Sequence, residues 1–299
     1  MNSFDELFGS TSSRQSLPRN ASFDKAAWAA QKQEERRNVY EIVERYTTAM
    51  SGDGKLFQTY LDVQVRFDRY SVNNAILIAE QKPDATRLAD YDAWKNQGSY
   101  VKKHETGIQI LEPGSEYQRE DGSIGINYNV KKVFDVSQTN CRQKTAPTVV
   151  RDERSLLKAL INNVPCELAI SEELPENNTV FYVPESDEIL IRQGLDASAI
   201  FRGLTQEMAR AYLYKEDRGC QNPDFAAYSV SYMLCKRYGV SVDTFSFDCM
   251  PEEYKMMDGI AVRAELSVMR DIAGEIMADM EREFAVQDKA QKNRDNDAR

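Results

Sequence analysis

Gln206-Glu207-Met208-Ala209-Arg210 is the stretch of this chain whose residue types and spacing come nearest to catalytic chemistry. It has the outline of the zinc-protease helix motif H-E-x-x-H, with the glutamate kept and both histidines replaced. The motif works because residues four apart share one helical face, so two neutral imidazoles converge on one ion. The glutamate then serves as general base toward metal-bound water. Gln206 offers a neutral amide oxygen, a poor zinc ligand. The Arg210 guanidinium stays protonated and brings positive charge to where the cation would sit. The chain has one histidine, His104, far away in the sequence, so no imidazole is left to replace the missing pair. A set rebuilt from Cys220, Cys235, Glu207 and Asp224 has no supporting spacing. Taken alone, Glu207 and Arg210 read as an i, i+3 ion pair on a solvated face, worth about 0.2–0.5 kcal/mol. The expectation is no hydrolysis, no metal and no other cofactor.

Composition sets the frame for these residues. With 299 residues, 41% of them hydrophobic and 29% charged, the chain is long and apolar enough for two domains with a sizeable core. No apolar run approaches the roughly 18 residues that cross a bilayer, and the polar N-terminus has no hydrophobic signal region. A cytoplasmic protein with no membrane partner is therefore expected. Five cysteines, odd in number and without a C-x-x-C pair, read as reduced and mostly buried thiols. The net charge is −10, yet residues 51–150 hold 13 acidic and 13 basic side chains, so the whole acid excess lies elsewhere. A neutral block in an acidic chain has room for a basic face.

The elements that must position the motif follow from periodicity and punctuation. Residues 1–22 read as a disordered tail. Helices are expected from Phe23 to the Ser51-Gly52-Asp53-Gly54 break, over Leu56–Phe67, from Tyr70-Ser71 to Gln81-Lys82-Pro83, and around Tyr91–Trp94 up to Gly98. Two strands are expected at Tyr100–Leu111 and Ile126–Val136, with a polar turn from Glu112 to Gly122 between them. Residues 137–150 read as a linker. A helix over Ser155–Asn163 follows, then strands Val180–Val183 and Glu188–Ile191 joined by the hairpin turn Pro184-Glu185-Ser186-Asp187. Helices at 197–216 and 223–238 come next, and a last helix from Pro251 to about Phe284. Its buried stripe is expected to be Met257, Ile260, Ala264, Val268, Ile272, Ile276, Met280 and Phe284. Residues 286–299 read as a charged, disordered tail. The fold class is α+β: N-terminal helices with a small antiparallel sheet, then a mostly helical part with a short sheet.

The stretch YLDVQVRFDRYSVNNAILIAEQKPDATR, from Tyr60 to Arg87, carries a family resemblance. It continues through Trp94-Lys95, Gly98, Val101-Lys102-Lys103, Gly107-Ile108 and Phe134–Thr139. This block resembles the N-terminal domain of the ArdC-type antirestriction proteins of conjugative plasmids and integrative elements. The resemblance implies a single-stranded-DNA-binding domain over 23–145 and a zincin-like domain over 146–285. The second part rests on element order, on the helix carrying Gln206–Arg210, and on Asp243-Thr244-Phe245-Ser246-Phe247. It also implies a decayed metal site. Gln206 and Arg210 replace its histidines, and Ala226 and Tyr228 stand where such zincins supply a further acidic ligand. His104 stands where the family usually has glycine, which puts the local turn in question.

Holding a single DNA strand takes cations along the phosphates and flat rings for the bases, each stacked base contributing about 1–3 kcal/mol. Arg66, Arg69, Arg87, Lys95, Lys102, Lys103, Lys131 and Lys132 supply charge; Phe67, Tyr70, Tyr91, Trp94, Tyr100 and Tyr128 supply rings. Phe67 and Trp94 read as core. Chemistry combined with membership of the matching block selects Arg66, Arg69, Tyr70, Asn74, Lys102 and Lys103. Tyr70-Ser71 could bind a phosphate at a helix start, but an N-cap role for the Ser71 hydroxyl is preferred. The leading expectation is a non-enzymatic single-stranded-DNA-binding protein of a mobile element with an antirestriction role. Two competing readings are a pseudoprotease adaptor binding a host protein and an active metallopeptidase.

Overall fold

The computed structural model of the chain describes residues 24–119, 121–142, 151–175, 178–216 and 218–297, with side chains as far as 290. The expected 1–22 tail and most of the 137–150 linker lie outside the described residues. Asp24 caps the first helix, α1 (Lys25–Gly52), by accepting from the amides of Ala26 and Ala27. Asp53 ends it and caps α2 (Gly54–Arg66) in turn. Ser71 caps α3 (Val72–Gln81), as its preferred reading required. A two-residue strand β1 (Leu88–Ala89) precedes α4 (Tyr91–Asn96), which Asp90 caps.

Two long strands, β2 (Ile108–Gln118) and β3 (Ile124–Asp135), pair antiparallel, and β1 joins the far side of β3. The expected polar turn at Glu112–Gly122 is a correction. The strand runs on through Pro113 and Gly114, where the register shifts, and the turn is confined to the end of the ribbon. Pro113 is tolerated because it lies at this irregularity, on the strand with an open outer edge. The stretch from Tyr100, expected as strand, is instead a loop held to residues 138–140 through a bridge between Val101 and Thr139.

The outer edge of β2 is closed by side chains. Asn74 of α3 donates to the Leu111 carbonyl at 2.9 Å and accepts from its amide at 2.7 Å. Gln81 does the same with Gln109 at 2.9 Å each way. Two helix amides thus stand in for a missing strand and shield an edge that would otherwise invite pairing.

His104 adopts the left-handed conformation, φ 66°. A glycine would adopt this conformation more readily, since a Cβ costs about 1–2 kcal/mol there. His104→Gly is expected to raise unfolding stability by roughly 0.5–1 kcal/mol, after allowing for glycine's extra freedom in the unfolded chain. Urea denaturation checks this, and a loss of stability would contradict it.

In the second half α5 (Glu153–Ile161) leads to a strand the sequence reading missed, β4 (Glu167–Ser171). The expected hairpin is present as β5 (Val180–Val183) and β6 (Glu188–Arg192). The sheet order is β4-β6-β5, with β4 parallel and β5 antiparallel to β6. Then come α6 (Ala197–Glu216) and α7 (Pro223–Tyr238), both at their expected places.

The last helix is two helices, α8 (Glu252–Met256) and α9 (Gly259–Asp297), which corrects both its start and its end. Asp258 accepts from the Ala261 amide at 2.8 Å and restarts the helix after the break. The restart shifts the buried stripe to Val262, Leu266, Met269, Ile272, Ala273, Ile276, Met280 and Phe284, and leaves Ile260 exposed. The helix also runs through residues expected as a tail. Among the described residues no helix is long and apolar enough to cross a membrane.

The two halves share one core. Phe57 of α2 packs against Phe225 of α7, Phe247 and Tyr254, with ring centroids 5.0, 5.5 and 6.0 Å away. Tyr232 of α7 donates to Asp62 at 2.8 Å, which Lys236 also pairs at 3.1 Å. Of the cysteines only Cys235 is fully buried; Cys249 is exposed and the others are intermediate.

Candidate functional site

The Gln206–Arg210 stretch sits where α6 passes beneath the β5 edge. Gly203 makes this approach possible, since a Cβ there would meet Val180 Cγ2 at 2.4 Å. One turn further along the same helical face, Glu207 comes under Tyr182, two residues on from Val180. Arg192 donates to Thr179 across the hairpin. Ladder alternation therefore turns the Tyr182 amide away from β6. Glu207 Oε2 accepts that amide at 3.0 Å.

Glu207 is 4% exposed, so the expected solvated ion pair is a correction: the carboxylate is buried. The Arg210 guanidinium reaches it at 3.1 Å with Nη1 and reaches Asp224 at 3.0 Å with Nη2. Arg210 Nε is buried without a hydrogen-bond partner. Burial is the main force raising the Glu207 pKa; Arg210 and the Tyr182 amide pull it down, and Asp224 adds a smaller upward push.

The following helix departs from expectation in an informative way. Ala226 is fully buried in the core. Tyr228 accepts from the Ser246 amide at 2.7 Å and so anchors the Asp243–Phe247 segment. Neither faces Arg210. The acid that does is Asp224, in the first turn of α7, and the Asn222-Pro223 helix start was the signal that could have placed it. A resident metal does not fit these residues. The guanidinium already makes the contacts to both carboxylates that a cation would make, and Gln206 brings no imidazole. Among the described residues no three His, Cys, Asp or Glu side chains converge elsewhere.

Five of the six DNA-binding candidates lie at or next to one of two clefts, and Arg69 belongs to neither. Arg66 caps its own helix, donating to Asp62 O at 3.0 Å, and also donates to Pro83 O, with no carboxylate partner among the described residues. Pro83 lines a polar groove of about 500 Å³ with Gln81, Lys82, Asp84, His104, Glu105 and Gln138. Lys103 precedes His104 and is exposed, while Lys102 donates to Ser137 O at 2.7 Å. Arg66, Lys102 and Lys103 each adjoin a residue that lines this groove, through the Pro83 carbonyl, the Gln138 carbonyl and His104 in turn, but none of the three lines it. Tyr100, 53% exposed, lies beside them in sequence, and Tyr91 is equally exposed on α4.

Tyr70 and Asn74 line a different cleft, of about 360 Å³, together with Asp90, Glu112 and Lys131. There Asn74 has its whole amide committed to β2, so the structure gives it a positioning role. Lys131 is paired to Glu112 at 2.8 Å and Asp90 at 3.0 Å, and both hold it protonated above its usual range. Both of its carboxylates are thus taken up by Lys131, which leaves that lysine no charge to spare for a phosphate. Arg69 is exposed and unpaired among the described residues. Phe67 and Trp94 are buried as expected, and Arg87 lies over the Trp94 ring at 4.9 Å.

No family model matches the chain, and no curated protein matches it. Solved structures do. The metal-free crystal structure of the antirestriction ArdC protein from the R388 plasmid superposes with a TM-score of 0.52 at 17% identity, covering 71% of this chain and 86% of that one. Its Mn(II)-bound structure gives a TM-score of 0.51 at 18% identity, covering 74% and 97%. The chain has the ArdC fold. The likeness spans nearly all of the plasmid protein, which is also described in a Mn(II)-bound form.

Proposed function

We propose that this chain binds single-stranded DNA through its first half and serves a plasmid or other mobile element in an antirestriction role, without hydrolysing peptides. The observation that carries the DNA reading is the set Arg66, Lys102 and Lys103, whose side chains bond only to backbone carbonyls or stand exposed. None of the three forms an ion pair among the described residues, and Tyr100, two residues before Lys102 in sequence, has an exposed ring. Uncompensated cations beside a stackable ring are what a sequence-tolerant single-strand site needs. The ArdC fold supports the antirestriction role, and the absence of a membrane-length apolar helix among the described residues is compatible with action in the cytoplasm. The non-enzymatic part is supported by the guanidinium of Arg210 between Glu207 and Asp224.

Fluorescence anisotropy with a labelled oligonucleotide tests the DNA reading. If about three phosphates are contacted, raising salt from about 50 to about 200 mM weakens binding roughly twentyfold. Absence of binding at low salt, or affinity indifferent to salt, overturns it.

A further inference from the structure

The two edges of the second sheet are treated differently. On β5 the outward amide of Tyr182 is closed by Glu207. On β4 nothing comparable occurs. Glu167 donates to Asp187 O at 3.2 Å, so Glu167, Ala169 and Ser171 face β6. Alternation turns the amides and carbonyls of Leu168 and Ile170 outward, and no strand pairs with them among the described residues. Ile170 is 74% exposed, a large apolar side chain on an open edge. Beside it lies a groove of about 320 Å³ whose lining is nearly all apolar, including Leu157, Ile161, Leu168, Ile191 and Leu195. Such an edge, unprotected by lysine, proline or a bulge, is a template for a further strand.

Charge selects the occupant. Glu167 at one end and Glu172 and Glu173 at the other are exposed and have no cationic partner among the described residues. Two copies pairing antiparallel about Ala169 would set Glu167 of one opposite Ser171 of the other, one residue from Glu172 and two from Glu173, and so crowd like charges at both ends. One nearby cation, Arg192 on β6, aligns with Ser171 and offsets one end only in part.

We propose that the open edge of β4 takes an extended segment of a partner protein, apolar at alternate positions and flanked by lysine or arginine, as an added strand. Backbone groups of Leu168 and Ile170 supply its hydrogen bonds and the apolar groove receives its side chains. The site is on the opposite edge of the sheet from the Glu207 contact and does not depend on the DNA reading.

The test uses the full-length chain and two dye-labelled, end-blocked peptides of alternating valine and threonine, one flanked by arginines and the other by glutamates. The arginine-flanked peptide is expected to bind at least tenfold more tightly. Ile170→Pro removes one outward donor without touching the ladder to β6, and at least a tenfold loss is expected with an unchanged circular-dichroism melt. If that variant misfolds, Ile170→Lys decides, with the same loss expected from repulsion of the flanking arginines. Failure of both peptides to bind, equal binding of both, or wild-type affinity in the variants overturns the proposal. So does sedimentation showing a wild-type dimer that Ile170→Pro dissolves, because the edge would then pair with a second copy.

Discussion

Arg210→Met is expected to destabilise the protein by about 2–3 kcal/mol at neutral pH. Removing one partner of a fully buried ion pair costs about 3–5 kcal/mol because the other charge is left uncompensated. Arg210 is 25% exposed and Asp224 80%, so solvent screening reduces that figure. The loss falls on Glu207, which is 4% exposed and keeps only the Tyr182 amide.

The pH dependence follows with a definite sign. Burial already raises the Glu207 pKa above its ordinary 4.5, and loss of the guanidinium raises it further. A carboxyl whose folded pKa is raised contributes stability that is fully present below its unfolded value and is lost as pH rises through the folded value. The deficit of Arg210→Met is therefore small near pH 4.5 and grows toward neutrality. Urea denaturation at several pH values checks it. Adding Glu207→Gln should recover part of the loss, since the amide oxygen still accepts from Tyr182 and carries no charge. A deficit independent of pH would show that Arg210 acts by packing alone.

Reversing Arg66 and Lys103 together to glutamate is expected to weaken oligonucleotide binding at low salt by at least about thirtyfold. The slope of log affinity against log salt should fall by about 0.7 for each phosphate contact removed. Lys131→Ala serves as the contrast. Its charge is already taken up by Asp90 and Glu112, so a change under about twofold is expected. If Lys131→Ala were the more damaging change, the strand would run through the Tyr70 cleft instead, and the groove assignment would fail.

How much of this was legible in the sequence depended on whether local signals acted alone. α6 and α7 lie over the ranges expected of them, and α7 ends at Gly239 in the left-handed conformation. The β5–β6 hairpin followed from its turn, where Asp187 takes the left-handed conformation. β4 was missed because Glu167–Ser171 is short and carries one charged and one polar end, and its identity as a strand comes from pairing with β6 far along the chain. The early end expected for the first long strand came from giving Pro113-Gly114 the weight of a turn, whereas pairing to β3 carries the strand past them through a register shift.

The candidate site divided in the same way. Residue chemistry pointed to Arg66, Lys102 and Lys103, which form no ion pair among the described residues. It also pointed to Asn74, whose amide the fold uses to close β2. The solvated reading of Glu207 failed because an i, i+3 spacing says nothing about what lies above the helix. Here that is the β5 edge, admitted by Gly203. Asp224 was hidden because its approach to Arg210 depends on how α7 crosses α6.

The central claim is that Arg210 does in this ArdC fold what a bound cation would otherwise do for Glu207 and Asp224. Equilibrium dialysis of the full-length chain against Zn(II) and Mn(II), followed by elemental analysis, tests it directly. The predicted result is far less than one ion per chain, unchanged by Asp224→Ala. One ion per chain, lost on Asp224→Ala or Glu207→Gln, would contradict it.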